Sequence, residues 1–228
     1  MRPEHTDKRY GEDLTKLRDA VLQMGGLVED QIQRSVSSLV DRDSSLAEKT
    51  IERDHEVNRL DVEVDELCIR LLALHQPAAK DLRLITTALK ITTDLERIGD
   101  MAVNICERAI ELNMEPQLKP YIDIPRMAKI SQRMLRESLD AFVREDTDLA
   151  LKVCKDDEEI DDLNRQVFRE TISFMIEDPH TITRAMKITF VSKYLERIAD
   201  HTTNIAEMAI FMVKGKSIRH LKDIPQSV

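Results

Sequence analysis

A chain of 228 residues with no tryptophan, 5 glycines, 4% aromatics and 34% charged side chains excludes an all-β sandwich or barrel, which needs aromatic-rich strands and tight glycine turns. A net charge of −9 sets up a field that repels nucleic acid and anionic lipid, so neither is expected as a partner. Hydrophobic residues at 42% exclude a wholly disordered chain and leave enough apolar surface for a real core.

After a polar tail over residues 1–9, the first predicted helix runs from about Gly11 to Val40. It carries Leu14, Leu17, Val21, Met24, Val28, Ile32, Val36 and Leu39 at spacings of three and four. Gly25-Gly26 inside it costs helicity and marks a kink or a close helix approach. Asp41 to Ser45 is a polar break, with Ser44 or Ser45 as the expected cap of the second helix. That helix carries Val57, Leu60, Val64, Leu67, Leu71 and Leu74 and stops before Pro77; a third follows from about Ala79 to Leu112. The proline-rich stretch from Glu115-Pro116 through Pro120 and Pro125 reads as a linker, placed at 116–123. Three more helices are expected over 124–144, 147–177 and 180–213, broken at Glu145-Asp146-Thr147 and Asp178-Pro179, with a tail over 214–228.

The second half restates the first. Leu95-Glu96-Arg97-Ile98-Gly99-Asp100 returns 100 positions later as Leu195-Glu196-Arg197-Ile198-Ala199-Asp200, and Asn104-Ile105 returns as Asn204-Ile205. Upstream, the block from Asp54 to Asp61 matches the block from Asp157 to Asn164 at an offset of 103. Two blocks in the same order at nearly the same spacing imply a duplicated unit, here residues 10–115 and 124–213. The expected fold is therefore all-α: two tandem pseudo-symmetric three-helix bundles built from six long helices. Leu95, Ile98, Ala102, Ile105, Ala109 and Leu112, with their counterparts from Leu195 to Met212, form an apolar seam.

Off that seam, both copies keep a polar stripe: Glu96, Asp100, Asn104 and Glu107, then Glu196, Asp200, Asn204 and Glu207. The preceding helices carry Asp54, Asn58 and Asp61, and Asp157, Asp161 and Asn164. Like charges one helical turn apart repel, and a hard cation such as Mg²⁺, Ca²⁺, Mn²⁺ or iron relieves that repulsion. Antiparallel packing is expected to bring the two stripes of each half together, with His201 beside Asp200 as an additional donor. Against this stands a plainly solvated charged face, which a chain so rich in charge needs in any case. Cys68, Cys106 and Cys154 lack any C-x-x-C spacing, and each is expected to pack in the core of a reducing-compartment protein. No glycine-rich phosphate loop, nucleophile elbow or zinc cluster is present in the sequence.

The chain resembles the PhoU family. The likeness rests on Ala88-Leu89-Lys90-Ile91-Thr92-Thr93-Asp94 running into the first repeat motif, on Tyr194 through Glu207 in the second, on Met24-Gly25, and on Pro77 with Lys80-Asp81-Leu82-Arg83. It implies a cytoplasmic, dimeric, non-enzymatic regulator that restrains the phosphate-starvation response, with the ATPase of a phosphate ABC transporter and a sensor histidine kinase as partners. It implies metal clusters (iron, Mn, Mg or Zn) mapping to Glu96, Asp100, Glu196 and Asp200, with partner motifs at Asp54/Asn58 and Asp157/Asp161. Asn58 brings no charge, so the first site should hold a cation more weakly than the second. The competing expectation, from another class, is a metal-handling or metal-dependent enzyme that uses the same stripes.

Overall fold

The computed structural model describes residues 8–216, and among these it contains helices and no strand. The elements are α1 (Lys8–Val40), α2 (Ser44–Glu52), α3 (Asp54–His75), α4 (Ala79–Asn113), α5 (Asp123–Arg144), α6 (Thr147–Glu177), a short 3₁₀ turn (Pro179–Thr181) and α7 (Ile182–Lys214). Of the expected tails, residues 1–7 and 217–228 lie outside the described residues; Lys8 and Arg9, expected in the first tail, are the opening residues of α1.

Two local expectations are corrected. The cap of α2 is Asp43, whose carboxylate accepts from the Leu46 N–H at 3.0 Å; Ser44 is already the first residue of that helix. A carboxylate suits the position better than a hydroxyl, since it also meets the positive end of the helix dipole. The second expected helix is also divided, at Arg53, into α2 and α3. In an unbroken helix the Glu56 N–H would bond to the Glu52 carbonyl. Instead the His55 ring Nδ1 sits 2.6 Å from that carbonyl, and the Glu56 N–H turns to the Arg53 carbonyl at 3.0 Å. The matching helix in the second half, α6, is continuous and capped by Asp146, which accepts from the N–H groups of Asp148 and Leu149.

α4 and α7 pack against each other through the middle of the molecule, with α1 and α3 on one flank and α5 and α6 on the other. Their direction is antiparallel along the whole length. Arg83 Nε donates to the Met212 carbonyl at 2.9 Å, while further along α4 Asp94 meets His201. α1 also packs on α5, so the halves share one apolar cluster in which Leu17, Ile32, Leu95, Ile98, Leu195 and Ile198 are all fully buried. The connector between the halves is pinned from both sides. Arg42 donates to the carbonyls of Asn113 and Glu115 at 2.7 and 2.6 Å, and Arg184 to that of Pro116 at 2.9 Å. Lys187 adds an ion pair to Glu115 at 3.1 Å.

The two adjacent glycines of α1 differ in purpose. A Cβ at Gly25 would collide with Leu139 of α5, so that glycine permits the α1–α5 approach; a Cβ at Gly26 would meet nothing within 4 Å. Gly26→Ala should therefore stabilise the fold by about 1 kcal/mol, the ordinary gain in helix propensity. Urea denaturation reads this directly, and a loss of stability would show that the backbone at Gly26 is under a constraint other than packing.

Candidate functional site

In each half, packing of the third helix on the second brings the two acidic stripes face to face. In the second half α6 supplies Asp157 and Asp161, and α7 supplies Glu196 and Asp200. Burial, followed by the charges of Asp200, Asp161 and Glu196, pushes the Asp157 carboxyl up to about 6. Burial and Glu196 raise Asp200 as well, while Lys193 opposes the rise. Lys193 forms an ion pair with Glu196, and the other carboxylate oxygen of Glu196 is buried and accepts no hydrogen bond. Asp161 has Arg165 at 3.8 Å on its outer side.

The first half is quieter. Asp54 stands at the start of α3 because of the break at Arg53, and two amides cover it: Gln31 Nε2 donates at 3.1 Å and Asn58 Nδ2 at 3.0 Å. Arg97 contacts both Glu96, at 3.4 Å, and Asp100, at 3.1 Å. Glu96 is raised by burial and by Asp100, with smaller contributions from Asp61 and Asp54, and Arg97 opposes the shift. The offset of 103 places Met134 where the first copy has Gln31. No amide from that position covers Asp157.

These carboxylates suit a hard cation in chemical character, and the orphaned oxygen of Glu196 is a ready ligand. They do not form a closed cage: among the described residues, no three His, Cys, Asp or Glu side chains converge as one ion requires. The arrangement is an open acidic face, on which an ion would keep part of its water shell.

Two of the additional donors point elsewhere. His201 Nδ1 lies 2.7 Å from Asp94 Oδ1, and Asn204 Nδ2 donates to the same oxygen at 3.3 Å. Both thus belong to a polar link across the α4–α7 seam, while the charge of His201 still acts on the Asp200 carboxyl. Asn104 is partly buried on α4. The residues missed by sequence reasoning are Gln31, Lys193 and Asp94. Gln31 interrupts an apolar face between Val28 and Ile32, while Lys193 and Asp94 stand opposite Thr93 and Tyr194 in the repeat, so each left a readable trace.

Comparison with known proteins gives a consistent result. The PhoU domain model matches residues 21–109 and 124–209, one match in each copy. A Pseudomonas aeruginosa protein described as a phosphate-specific transport system accessory protein PhoU homolog is 42% identical over 218 residues, spanning 95% of this chain and 90% of that one. The Escherichia coli accessory protein PhoU is 34% identical over 218 residues, spanning 96% and 90%. Among solved structures, PhoU from P. aeruginosa superposes with a TM-score of 0.87 at 42% identity, over 91% of this chain and 100% of that one. The phosphate transport system regulatory protein PhoU from Streptococcus pneumoniae gives 0.86 at 29% identity, over 92% and 99%.

Proposed function

The chain belongs to the PhoU family, and we propose that it is a non-enzymatic accessory of phosphate uptake that restrains the phosphate-starvation response when phosphate is plentiful. The observation that carries this reading is the match of both copies to the PhoU domain, together with relatives named for phosphate-specific transport that align over nearly their full length. In this reading the protein is cytoplasmic and bridges the ATPase of a phosphate ABC transporter and a sensor histidine kinase, reaching the membrane only through them. No described helix is long and apolar enough to cross a membrane itself. Burial pushes the thiols of Cys68, Cys106 and Cys154 up to about 12, so none of the three offers a thiolate near neutrality.

The acidic face of the second half is the proposed seat of a hard divalent or trivalent cation, with Asp157, Asp161, Glu196 and Asp200 as the oxygen donors. The ion's role is to screen like charges and so fix the outer surfaces of α6 and α7. The first half, with Asn58 for a carboxylate and Asp54 held by two amides, is the weaker site.

Deleting the gene should leave phosphate-starvation genes switched on in phosphate-replete medium. Transcript levels of those genes, compared with and without a restored copy, are the readout. Normal repression in the deletion strain would falsify the regulatory claim.

A further inference from the structure

One end of the molecule carries a cleft of about 630 Å³, where the start of α1, the start of α4 and the end of α5 meet. Its lining runs against the charge of the chain. The net charge is −9, yet in this cleft Arg18, Lys80 and Arg144 outnumber Asp81 and Glu145. A concave surface with a local excess of cations concentrates anions even on an acidic protein.

The cations are not spent on their neighbours. Glu145 is shared, holding Lys80 at 2.6 Å and Arg18 at 3.5 Å. Arg144 has Asp140 at 3.8 Å, a loose contact one helical turn away, and Asp81 accepts from the Tyr10 hydroxyl at 3.2 Å. The Nε of Arg18 is buried and has no hydrogen-bond acceptor, and a buried N–H of this kind calls for an oxygen. The second copy offers a comparison. Asp178 stands there in place of Ala78, and its carboxylate accepts from the His180 N–H at 3.0 Å at the helix start. α4 begins without a side-chain cap, so its opening turn adds positive field to a cleft that the three cations already define.

An oxyanion is the ligand class that two guanidinium groups and an ammonium suit. Glu145 narrows the class. A carboxylate among cations repels an anion that offers only bare oxygens, and accepts a hydrogen bond from one that carries a proton. Near neutral pH inorganic phosphate carries such a proton; sulfate and a fully ionised phosphate monoester do not. We propose that this cleft binds inorganic phosphate as its hydrogen-phosphate ion, with Arg18, Lys80 and Arg144 donating to its oxygens and Glu145 accepting from its O–H. The proposal deepens the regulatory reading by giving the accessory protein a ligand to respond to, and rests on that reading for its physiological meaning alone.

Calorimetric titration of the full chain tests it, in chelator-treated buffer of fixed ionic strength so that no metal on the acidic faces recruits the anion. At about pH 8, where monoesters are fully ionised, inorganic phosphate should bind saturably, and sulfate and glycerol phosphate about tenfold more weakly. Arg18→Gln and Lys80→Gln should each weaken phosphate binding by about tenfold, with helicity unchanged. Arg126→Gln removes the same charge from an ion pair with Glu159 elsewhere on the surface, and should leave the affinity as it was. Glu145→Gln is the decisive variant: it should bring phosphate and sulfate to within about twofold of each other. No saturable binding, equal affinity of the wild type for phosphate and sulfate, a preference that survives Glu145→Gln, or equal loss in the Arg126 control would overturn the proposal. The deletion strain reports separately. A chain that binds no phosphate but still represses loses the cleft alone, and one that binds phosphate without repressing loses the regulatory reading alone.

Discussion

Leu95→Ala will lower the free energy of unfolding by about 2–5 kcal/mol, and Leu195→Ala will do the same. Both side chains, Leu95 on α4 and Leu195 on α7, are fully buried inside a cluster that draws on both halves. Truncation removes apolar contact and leaves a cavity that two long packed helices cannot collapse to fill. Because the core is common, each variant should unfold in one transition with the denaturant slope of wild type. By contrast, Glu196→Ala with Asp200→Ala should leave stability in metal-free buffer unchanged or slightly raised, since like charges are removed. A cost below about 1 kcal/mol for either leucine, or two separate transitions, would contradict a shared core. Collapse of the carboxylate variant would make those groups structural.

Asp157→Asn should stabilise the metal-free protein near pH 7 by about 1 kcal/mol, a figure reduced for the solvent that reaches this face. The sign follows from linkage. A folded-state value of about 6 against 3.8 means that the native carboxyl holds its proton more tightly than the unfolded one. Its contribution to stability is therefore greatest below pH 4, declines as pH rises from about 4 to about 6, and is flat above. The difference between wild type and Asp157→Asn should grow across that window and then level off; a difference that stays constant from pH 4 to 7 would show that the carboxyl is not strained. Mn²⁺ should reverse the ranking, raising the melting temperature of wild type more than that of the variant. In crystals at limiting Mn²⁺, anomalous scattering should appear first at Asp157, Asp161, Glu196 and Asp200, and Asn58→Asp should narrow the gap between the halves. Equal filling of both faces would remove the argument from charge count, and no ordered ion at either would return them to solvated surfaces.

Helical spans and their order were legible because apolar spacing reports which face of each helix is buried, and because the repeat could be checked against itself. The interruption at Arg53 was not, since it turns on one ring nitrogen taking one backbone carbonyl, an event that leaves hydrophobic periodicity untouched. The pairing of acidic stripes could be foreseen from spacing and antiparallel order. The covering of Asp54 by Gln31 could not, because it depends on a third helix, α1, reaching the same place. For the same reason sequence adjacency pairs His201 with Asp200, whereas its hydrogen-bond partner is Asp94, 107 positions away.

The crossing of α4 and α7 has a further meaning. Had the two copies remained separate identical chains, any residue placed on one side of their contact would have been imposed on the other at the same time, and every change would have had to suit both. Joined in one polypeptide, each side can mutate alone. Asp94 opposite His201 uses that freedom, for the corresponding positions on the other side are Tyr194 and Met101. Fusion thus released this seam from symmetry, and a chain so released can devote one half to a task the other half no longer performs.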